Sequence, residues 1–243
     1  MVKRGKETAE TVQRGEKDKK ITVKFFLNKT LQPVMVNNTK KSYPLYMLIT
    51  YNRKNTMLKS YYGYYYKDLK EAAQLGLMAF EEKMVKKTIT YERGLAGGKF
   101  TLKGLHKKYG QYCAGLHSLY EEYLKGVLFH LVVRARPHEF SYALNFSDPK
   151  VSFDTLYTIA KKIYPDFSLP DSFRQEAEGF HDYSKLYGSP FFTYNFPTVI
   201  EWLDKSAQAD YSKKLEVVYK ADKKTIDGKI ALVDKIVQSS LGL

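Results

Sequence analysis

Residues 43–64 read YPLYMLITYNRKNTMLKSYYGY, and this stretch decides the fold of the N-terminal part of the chain. Residues 43–50 and 57–64 are rich in aromatic and aliphatic side chains, which is typical of β-strands. The connection between them, residues 51–56 (YNRKNT), has the Asn-rich, polar composition of a hairpin turn. Residues 21–28 (ITVKFFLN) predict a further strand, because β-branched and aromatic residues alternate in them. We therefore expect a small antiparallel sheet of about three strands, with residues 30–42 forming a longer loop or an additional short strand.

The pattern changes at Asp68, where strand-like alternation gives way to helical spacing. Asp68 and Glu71 have the spacing of a capping box, and apolar residues follow on one helix face as far as Met84. One helix is therefore expected from Asp68 to about residue 87. Three glycines among the six residues of GLAGGK, which begins at residue 94, then predict a flexible connection. The sequence thus predicts an arm-like β-sheet/helix module over 21–93 and a Gly-rich linker over 94–100.

Residues 101–243 predict a mainly helical body. Thr101 is placed to cap one long helix, and a further helix is expected over 149–164, between two prolines. Residues 165–196 are rich in Pro, Gly and aromatic side chains and are expected to be irregular. Helical patterns then return, with a break expected at Gly228. The fold class that follows is α+β, with a small N-terminal sheet of about three strands plus one helix, followed by a mainly helical region.

Positive charge is distributed unevenly along the chain. Residues 1–109 carry 24 Lys and Arg against 9 Asp and Glu, whereas residues 110–243 carry 16 against 17. A step of this size predicts a module that faces phosphate groups, attached to a neutral one. Residues 1–20 contain almost no apolar side chains, so they are expected to form a flexible basic tail.

Residues 21–87 contain five sequence features in a fixed order. These are a lysine-flanked pair of phenylalanines, a Tyr-Pro-Leu-Tyr strand, a turn with Asn and basic residues, a third strand and a helix. The matching positions are Lys24, Phe25 and Phe26, then Tyr43, Pro44, Leu45, Tyr46 and Ile49, then Tyr51, Asn52, Arg53 and Lys54. This order resembles the arm-type DNA-binding domain at the N-terminus of many tyrosine recombinases (integrases) of mobile elements. The resemblance implies a sheet presented to the major groove of DNA, with Arg53, Lys54 and Lys59 nearest to it.

The catalytic features of that family are not expected in this chain. The family's catalytic domain carries an Arg, a His-x-x-Arg pair and a nucleophilic Tyr, and none of the five histidines of this chain is followed three residues later by an arginine. Too little chain also follows the linker to hold that domain. We therefore expect a protein that is not an enzyme and has no catalytic residues.

The candidate DNA-binding residues are basic side chains of the expected strands and turns, together with one tyrosine: Lys24, Lys29, Lys40, Lys41, Arg53, Lys54, Lys59 and Tyr61. Lys and Arg reach phosphates and guanine edges, although such charges also occur on ordinary solvated surfaces. The tyrosines between residues 61 and 66 would either stack on exposed bases or divide between the core and a subunit contact.

The remaining chemistry of the sequence points away from cofactors. The single Cys113 is expected to be a small core residue, as free cysteines usually are. Cys113 and His117 are four residues apart on an expected helix face, but two ligands do not make a metal site. We expect no metal, no cofactor and, in the absence of an apolar leader or a run of about 18 apolar residues, no membrane partner and a cytoplasmic location.

Two functional hypotheses follow from the sequence. The first is a non-enzymatic DNA-binding protein of a mobile element or phage, acting in the bacterial host, which contacts duplex DNA through the basic sheet and binds protein partners or itself through the helical body. The second is a structural protein of a phage virion, such as a ring, connector, tail or capsid component, whose basic module faces packaged nucleic acid or neighbouring subunits.

Overall fold

The computed structural model describes residues 20–36, 40–74, 76–96, 99–135, 150–163, 169–187 and 197–242. The expected tail over 1–20 lies outside these ranges except for Lys20. The helices, strands and contacts described below all belong to these ranges.

The N-terminal part forms an antiparallel sheet of five strands, β1 (Thr22–Leu27), β2 (Val34–Val36), β3 (Lys40–Tyr51), β4 (Lys54–Lys59) and β5 (Tyr65–Tyr66). Strand β3 is 12 residues long and pairs with all four of the others. The three expected strands are confirmed as β1, β3 and β4. The short strand β2 lies within residues 30–42 and confirms the additional strand there, whereas β5 is not expected from the sequence. Both pair with the first half of β3.

A tight turn joins β3 to β4. Asn52 and Arg53 have φ angles of 51° and 62°, and Tyr51 pairs with Lys54 across them. Two consecutive positive φ angles are the signature of the type I′ turn, whose twist matches that of the flanking strands. The hairpin is therefore confirmed, but the expected six-residue connection is wrong, because β4 begins at Lys54 directly after a two-residue turn.

The single helix expected after the sheet is two helices, α1 (Leu69–Gln74) and α2 (Leu77–Ala96). Asp68 does cap the first, since its Oδ1 accepts a hydrogen bond from the backbone N–H of Glu71 at 2.9 Å. The break between the helices contains Gly76, whose φ of 68° is a left-handed conformation that favours glycine. Helix α2 continues to Ala96, so the first three residues of the expected linker are helical.

Helices dominate the rest of the described chain, as expected: α3 (Leu105–Cys113), α4 (Leu116–Ala135), α5 (Phe153–Ile163), α6 (Asp171–Tyr187), α7 (Val199–Leu203), α8 (Ser206–Tyr219) and α9 (Lys223–Leu241). None of the helices in the described ranges combines the length and apolar character that crossing a membrane requires.

The long helix expected from Thr101 is also two helices, α3 and α4. Around their junction the backbone bonds to a distant segment, because Leu116 N–H donates to the Pro197 carbonyl at 2.7 Å and Val199 N–H donates to the Ala114 carbonyl at 3.0 Å. These backbone bonds replace a continuous helical ladder. Thr198 then caps α7 in a reciprocal arrangement with Glu201.

The irregular segment expected over 165–196 is wrong for its central part, which is the 17-residue helix α6. Phe173, Ala177 and Phe180 recur there at helical spacing and are all buried. The flanking residues 164–168 and 188–196 lie outside the described ranges.

The break expected at Gly228 is also wrong, because α9 runs through that position. The chain turns earlier, at Lys220, where φ is 50°. Asp222 then caps α9 by accepting a hydrogen bond from the Thr225 N–H at 2.8 Å.

The sheet and the helices share one large hydrophobic core. Met47 and Ile49 of β3 belong to the same buried cluster as Ile89 of α2, Tyr120 of α4 and Trp202 of α7. Each of these side chains is fully buried. One face of the sheet is therefore covered by helices, and side chains of the opposite face are left available to solvent.

Candidate nucleic-acid interface

The face of the sheet that points away from the core carries basic side chains around an apolar centre. The strand register aligns Lys24 with Leu48 and Leu48 with Met57 in one row, and aligns Tyr46 with Lys59 in the next row. Lys24 and Lys59 are exposed, and Met57 is 64% exposed, whereas Tyr46 and Leu48 are half-buried. We call these five residues the outer sheet face. Two of the candidate DNA-binding residues, Lys24 and Lys59, lie on it.

Two further candidates form the tip of the β3–β4 hairpin. Arg53 and Lys54 are both exposed. Arg53 occupies the second turn position with a φ of 62°, where type I′ turns favour glycine. A non-glycine residue in this conformation costs about 1–2 kcal/mol, and such strain is concentrated at functional sites. The arginine at the tip is therefore kept at a measurable cost in stability.

Three other candidates lie at the opposite end of the sheet. Lys29 follows Asn28, whose backbone N–H donates to the Pro44 carbonyl at 3.0 Å. Tyr61 follows Ser60, whose backbone N–H donates to the Leu45 carbonyl at 2.9 Å. Lys41 is the second residue of β3 and is exposed. At about 3.4 Å per residue, this end is roughly 30 Å from the hairpin tip. The candidates are therefore distributed along the length of the sheet. Lys40 is the first residue of β3.

The exposed cations of the sheet have no carboxylate partner. Within the part of the chain that the structure describes, no Asp or Glu oxygen lies within 4 Å of the charged groups of Lys24, Lys29, Lys41, Arg53, Lys54 or Lys59. No carboxylate of the described ranges therefore neutralises their charge.

Basic residues of α2 behave differently. Lys83 Nζ lies 2.7 Å from an Oε of Glu201, and Lys87 pairs with Asp204. These bonds lower the pKa of both carboxyl groups, although burial acts in the opposite direction. Acidic side chains of α7 and of its C-cap residue thus neutralise the charge of these two lysines of α2. The cations of the sheet, in contrast, have no such partner among the described residues.

A sharper sequence signal matches this distribution. Residues 19–67 contain ten Lys and Arg and no Asp or Glu at all. The charge count over residues 1–109 also includes the acidic residues of α2, so it does not reveal this acid-free stretch. The stretch also contains Lys20 and Lys67, which the candidate set missed and which are both exposed.

The tyrosines that follow β4 divide between the core and the surface. Tyr66 is buried against Leu45, whereas Tyr61, Tyr64 and Tyr65 are each 40–48% exposed. The cluster therefore does divide, but only Tyr66 belongs to the core, where about half of the tyrosines are expected. The exposed members extend the aromatic surface at the end of the sheet that carries Lys29 and Lys41.

A buried carboxylate fixes the turn from which these tyrosines project. Glu81 of α2 is fully buried, and its Oε1 accepts hydrogen bonds from the Ser60 hydroxyl at 2.6 Å and the Tyr61 N–H at 3.0 Å. Burial raises the pKa of Glu81, and the bonds from Ser60 and Tyr61 partly oppose this shift. The contact ties one end of the sheet to α2.

The other residues considered for chemistry are part of the core. Cys113 is 3% exposed, as expected for a core residue, and burial raises the pKa of its thiol. His117 is also buried, which lowers its pKa. The two residues lie on different helices, α3 and α4, so the expectation that they share one helix face is wrong. In the described ranges, no three His, Cys, Asp or Glu side chains form a group that could hold a metal ion.

Comparison of the chain with protein-family models, with curated proteins and with solved structures finds no match.

Proposed function

We propose that this chain is a non-enzymatic DNA-binding protein of a mobile element or phage, which contacts duplex DNA through the outer sheet face and the hairpin tip. The observation that carries the proposal is the set of unpaired cations on a sheet that belongs to an acid-free stretch of sequence. Duplex DNA presents one negative charge per about 1.7 Å of its axis, so a row of uncompensated cations gains affinity by displacing counterions.

The shape of the sheet supports the same proposal. The tip of the β3–β4 hairpin, with Arg53 in its turn, extends past the pairing of β1 with β3, which ends at Thr50, and a β-hairpin of this kind is narrow enough for a major groove about 12 Å wide. Arg53 can form a bidentate contact with guanine, while Lys24 and Lys59 are placed to contact phosphates. The exposed Met57, two residues before Lys59 on β4, offers an apolar contact for a thymine methyl group. In this proposal the helical body binds protein partners or a second copy of the chain.

One observation favours the virion hypothesis as a second candidate. Val217, Val218 and Tyr219, at the end of α8, are 68%, 61% and 41% exposed. Three consecutive exposed apolar side chains are suited to a contact between subunits. In this alternative the basic sheet faces packaged nucleic acid or neighbouring subunits.

The test uses the full chain and a fluorescently labelled duplex of about 20 base pairs. Anisotropy titrations over a series of salt concentrations give the dissociation constant and its salt dependence. The variant with Lys24, Arg53, Lys54 and Lys59 all changed to Gln removes four cations. The logarithmic salt slope should become shallower by about 3–4 if each cation neutralises one phosphate.

The matched control changes four exposed lysines of the helical body to Gln: Lys162, Lys185, Lys213 and Lys224. It alters the net charge equally and should leave the salt slope near that of the original chain. Equal slopes for the sheet variant and this control would reject the assigned contact. Absence of duplex binding, together with a large closed ring in native mass measurements, would favour the virion alternative.

A further inference from the structure

Phe100, which precedes α3, lies beside the base of the turn of the β3–β4 hairpin. Helix α2 follows the covered face of the sheet, because Glu81 near its start bonds to Ser60 at one end of the sheet. Phe100, just after the end of α2, contacts Tyr51 at the other end, with ring centroids 5.7 Å apart. Tyr51 is paired with Lys54 at the start of β4. The residues around Phe100 are therefore neighbours of the tip.

The start of α3 is anchored to the same region of the core. Leu102 and Leu105 are buried in the cluster that contains Tyr51. Tyr109 and Cys113 continue this buried face along α3, while burial decreases on the opposite side. Since a helix advances about 100° per residue, a residue two positions after Leu105 lies on the face turned away from the core.

Three lysines occupy the exposed positions of this segment. Lys99 and Lys103 flank the Phe100 and Leu102 anchors, and Lys107 lies on the outward face of α3, two residues after Leu105. All three are exposed. We call Lys99, Lys103 and Lys107 the α3 lysine row.

The α3 lysine row has no acidic partner among the residues that the structure describes. Among the described residues, no carboxylate lies within 4 Å of its three ammonium groups, whereas the adjacent Lys108 pairs with Glu92 of α2. Glu92 also accepts a hydrogen bond from the Tyr112 hydroxyl at 2.6 Å. The nearby acid is therefore already engaged by two other side chains, and the row adds three cations without a described acidic partner to the side of the tip where Phe100 contacts Tyr51.

We propose that the α3 lysine row is a second phosphate-binding surface, which contacts the same DNA duplex where it continues past the hairpin tip. This inference rests on the proposed DNA-binding function and extends the contact from the sheet onto α3. The hairpin tip then lies between two sets of phosphate contacts, one on the outer sheet face and one on the lysine row. Such flanking contacts hold the register and orientation of the duplex without reading its sequence.

The test repeats the anisotropy titration with the variant K99Q/K103Q/K107Q. Its matched control is K185Q/K213Q/K224Q, which removes the same number of exposed cations from the helical body. The row variant should give a salt slope shallower by about 2–3 than that of the unaltered chain, and at about 150 mM salt its dissociation constant should rise roughly tenfold or more. The control should bind within about twofold of the unaltered chain at the same salt concentration.

Lysine acetylation followed by mass spectrometry gives an independent readout on the unaltered chain. Addition of the duplex should protect Lys99, Lys103 and Lys107 from acetylation, while Lys213 should stay reactive. Unchanged acetylation of all three lysines would overturn the inference.

The outcomes separate this inference from the function on which it rests. If the unaltered chain does not bind the duplex, the proposed function fails and the inference fails with it. If the chain binds, the sheet variant loses affinity and the row variant matches its control, only the second surface is rejected. Loss of affinity in both variants, with both controls unaffected, supports the continuous surface.

Discussion

Arg53 offers a test in which stability and binding should change in opposite directions. Its φ of 62° places an L-residue in the left-handed region, at a cost of about 1–2 kcal/mol. Arg53→Gly removes that cost. Glycine also lowers the free energy of unfolding by about 0.5–1 kcal/mol, because it gives the unfolded chain greater entropy. The free energy of unfolding should therefore rise by about 0.5–1 kcal/mol, although the substitution deletes a side chain.

The same substitution should weaken DNA binding, because it removes the cation at the hairpin tip. Urea unfolding followed by circular dichroism measures the change in the free energy of unfolding. In thermal unfolding, the melting temperature of a chain of this size should rise by roughly 1–4 °C. Duplex anisotropy measures the loss of binding, with a salt slope shallower by about 1. Arg53→Gln is the matched control, since it keeps the left-handed cost but removes the charge. It should leave stability nearly unchanged and weaken binding.

Two results would refute this reasoning, and each refutes a different part. A lower free energy of unfolding for Arg53→Gly would show that the arginine is not strained in this turn. Full affinity of Arg53→Gln for the duplex would show that the tip cation makes no contact with DNA, whatever the stability of the hairpin.

Two further substitutions probe the helical core and the sheet junction. Gly179→Ala should destabilise the protein by about 1–2 kcal/mol in urea unfolding, because a Cβ there would lie 2.8 Å from both Tyr120 Oη and Leu232 Cδ2, and such overpacking outweighs the helix propensity of alanine. Gly228→Ala is the control: nothing lies within 4 Å of its Cβ, so alanine should stabilise the protein by about 0.5–1 kcal/mol. Equal effects at the two positions would contradict the packing around Gly179. Burial raises the pKa of Glu81, so the contribution of this carboxyl group to stability is present below its ordinary pKa of 4.5 and is lost as the pH rises through the raised folded value. Glu81→Gln should flatten the stability profile above pH 4.5 in urea unfolding at a series of pH values. An unchanged profile would assign the pH dependence to other groups.

Local periodicity was sufficient to predict the three longest strands of the sheet, because alternation and turn chemistry are encoded within a few neighbouring residues. It failed to predict where helices are interrupted. Gly76 and Gly115 lie at helix breaks, yet Gly228 lies inside α9. The difference at Gly115 is made by hydrogen bonds between the flanking residues and the segment at residues 197–199. No local window of sequence contains that partner.

The candidate site shows the same limit. The regional count of cations correctly drew attention to the N-terminal half, but it included Lys83 and Lys87, which are neutralised by acids 118 and 117 residues away in the chain. The α3 lysine row was missed for a related reason. Its position beside the hairpin depends on the contact of Phe100 with Tyr51, which only the folded chain reveals.

The shared core has a thermodynamic consequence for any ligand of the sheet. Met47, Ile49 and Leu58 bury their side chains in the same cluster as the helices of the body, so a fragment cut after α2 would expose apolar surface that the intact chain covers. A polyanion on the outer sheet face would therefore stabilise distant α9 as well as the strands it touches. At a ligand concentration about one hundred times the dissociation constant, this linkage contributes about 2.7 kcal/mol to the folded state of the whole chain.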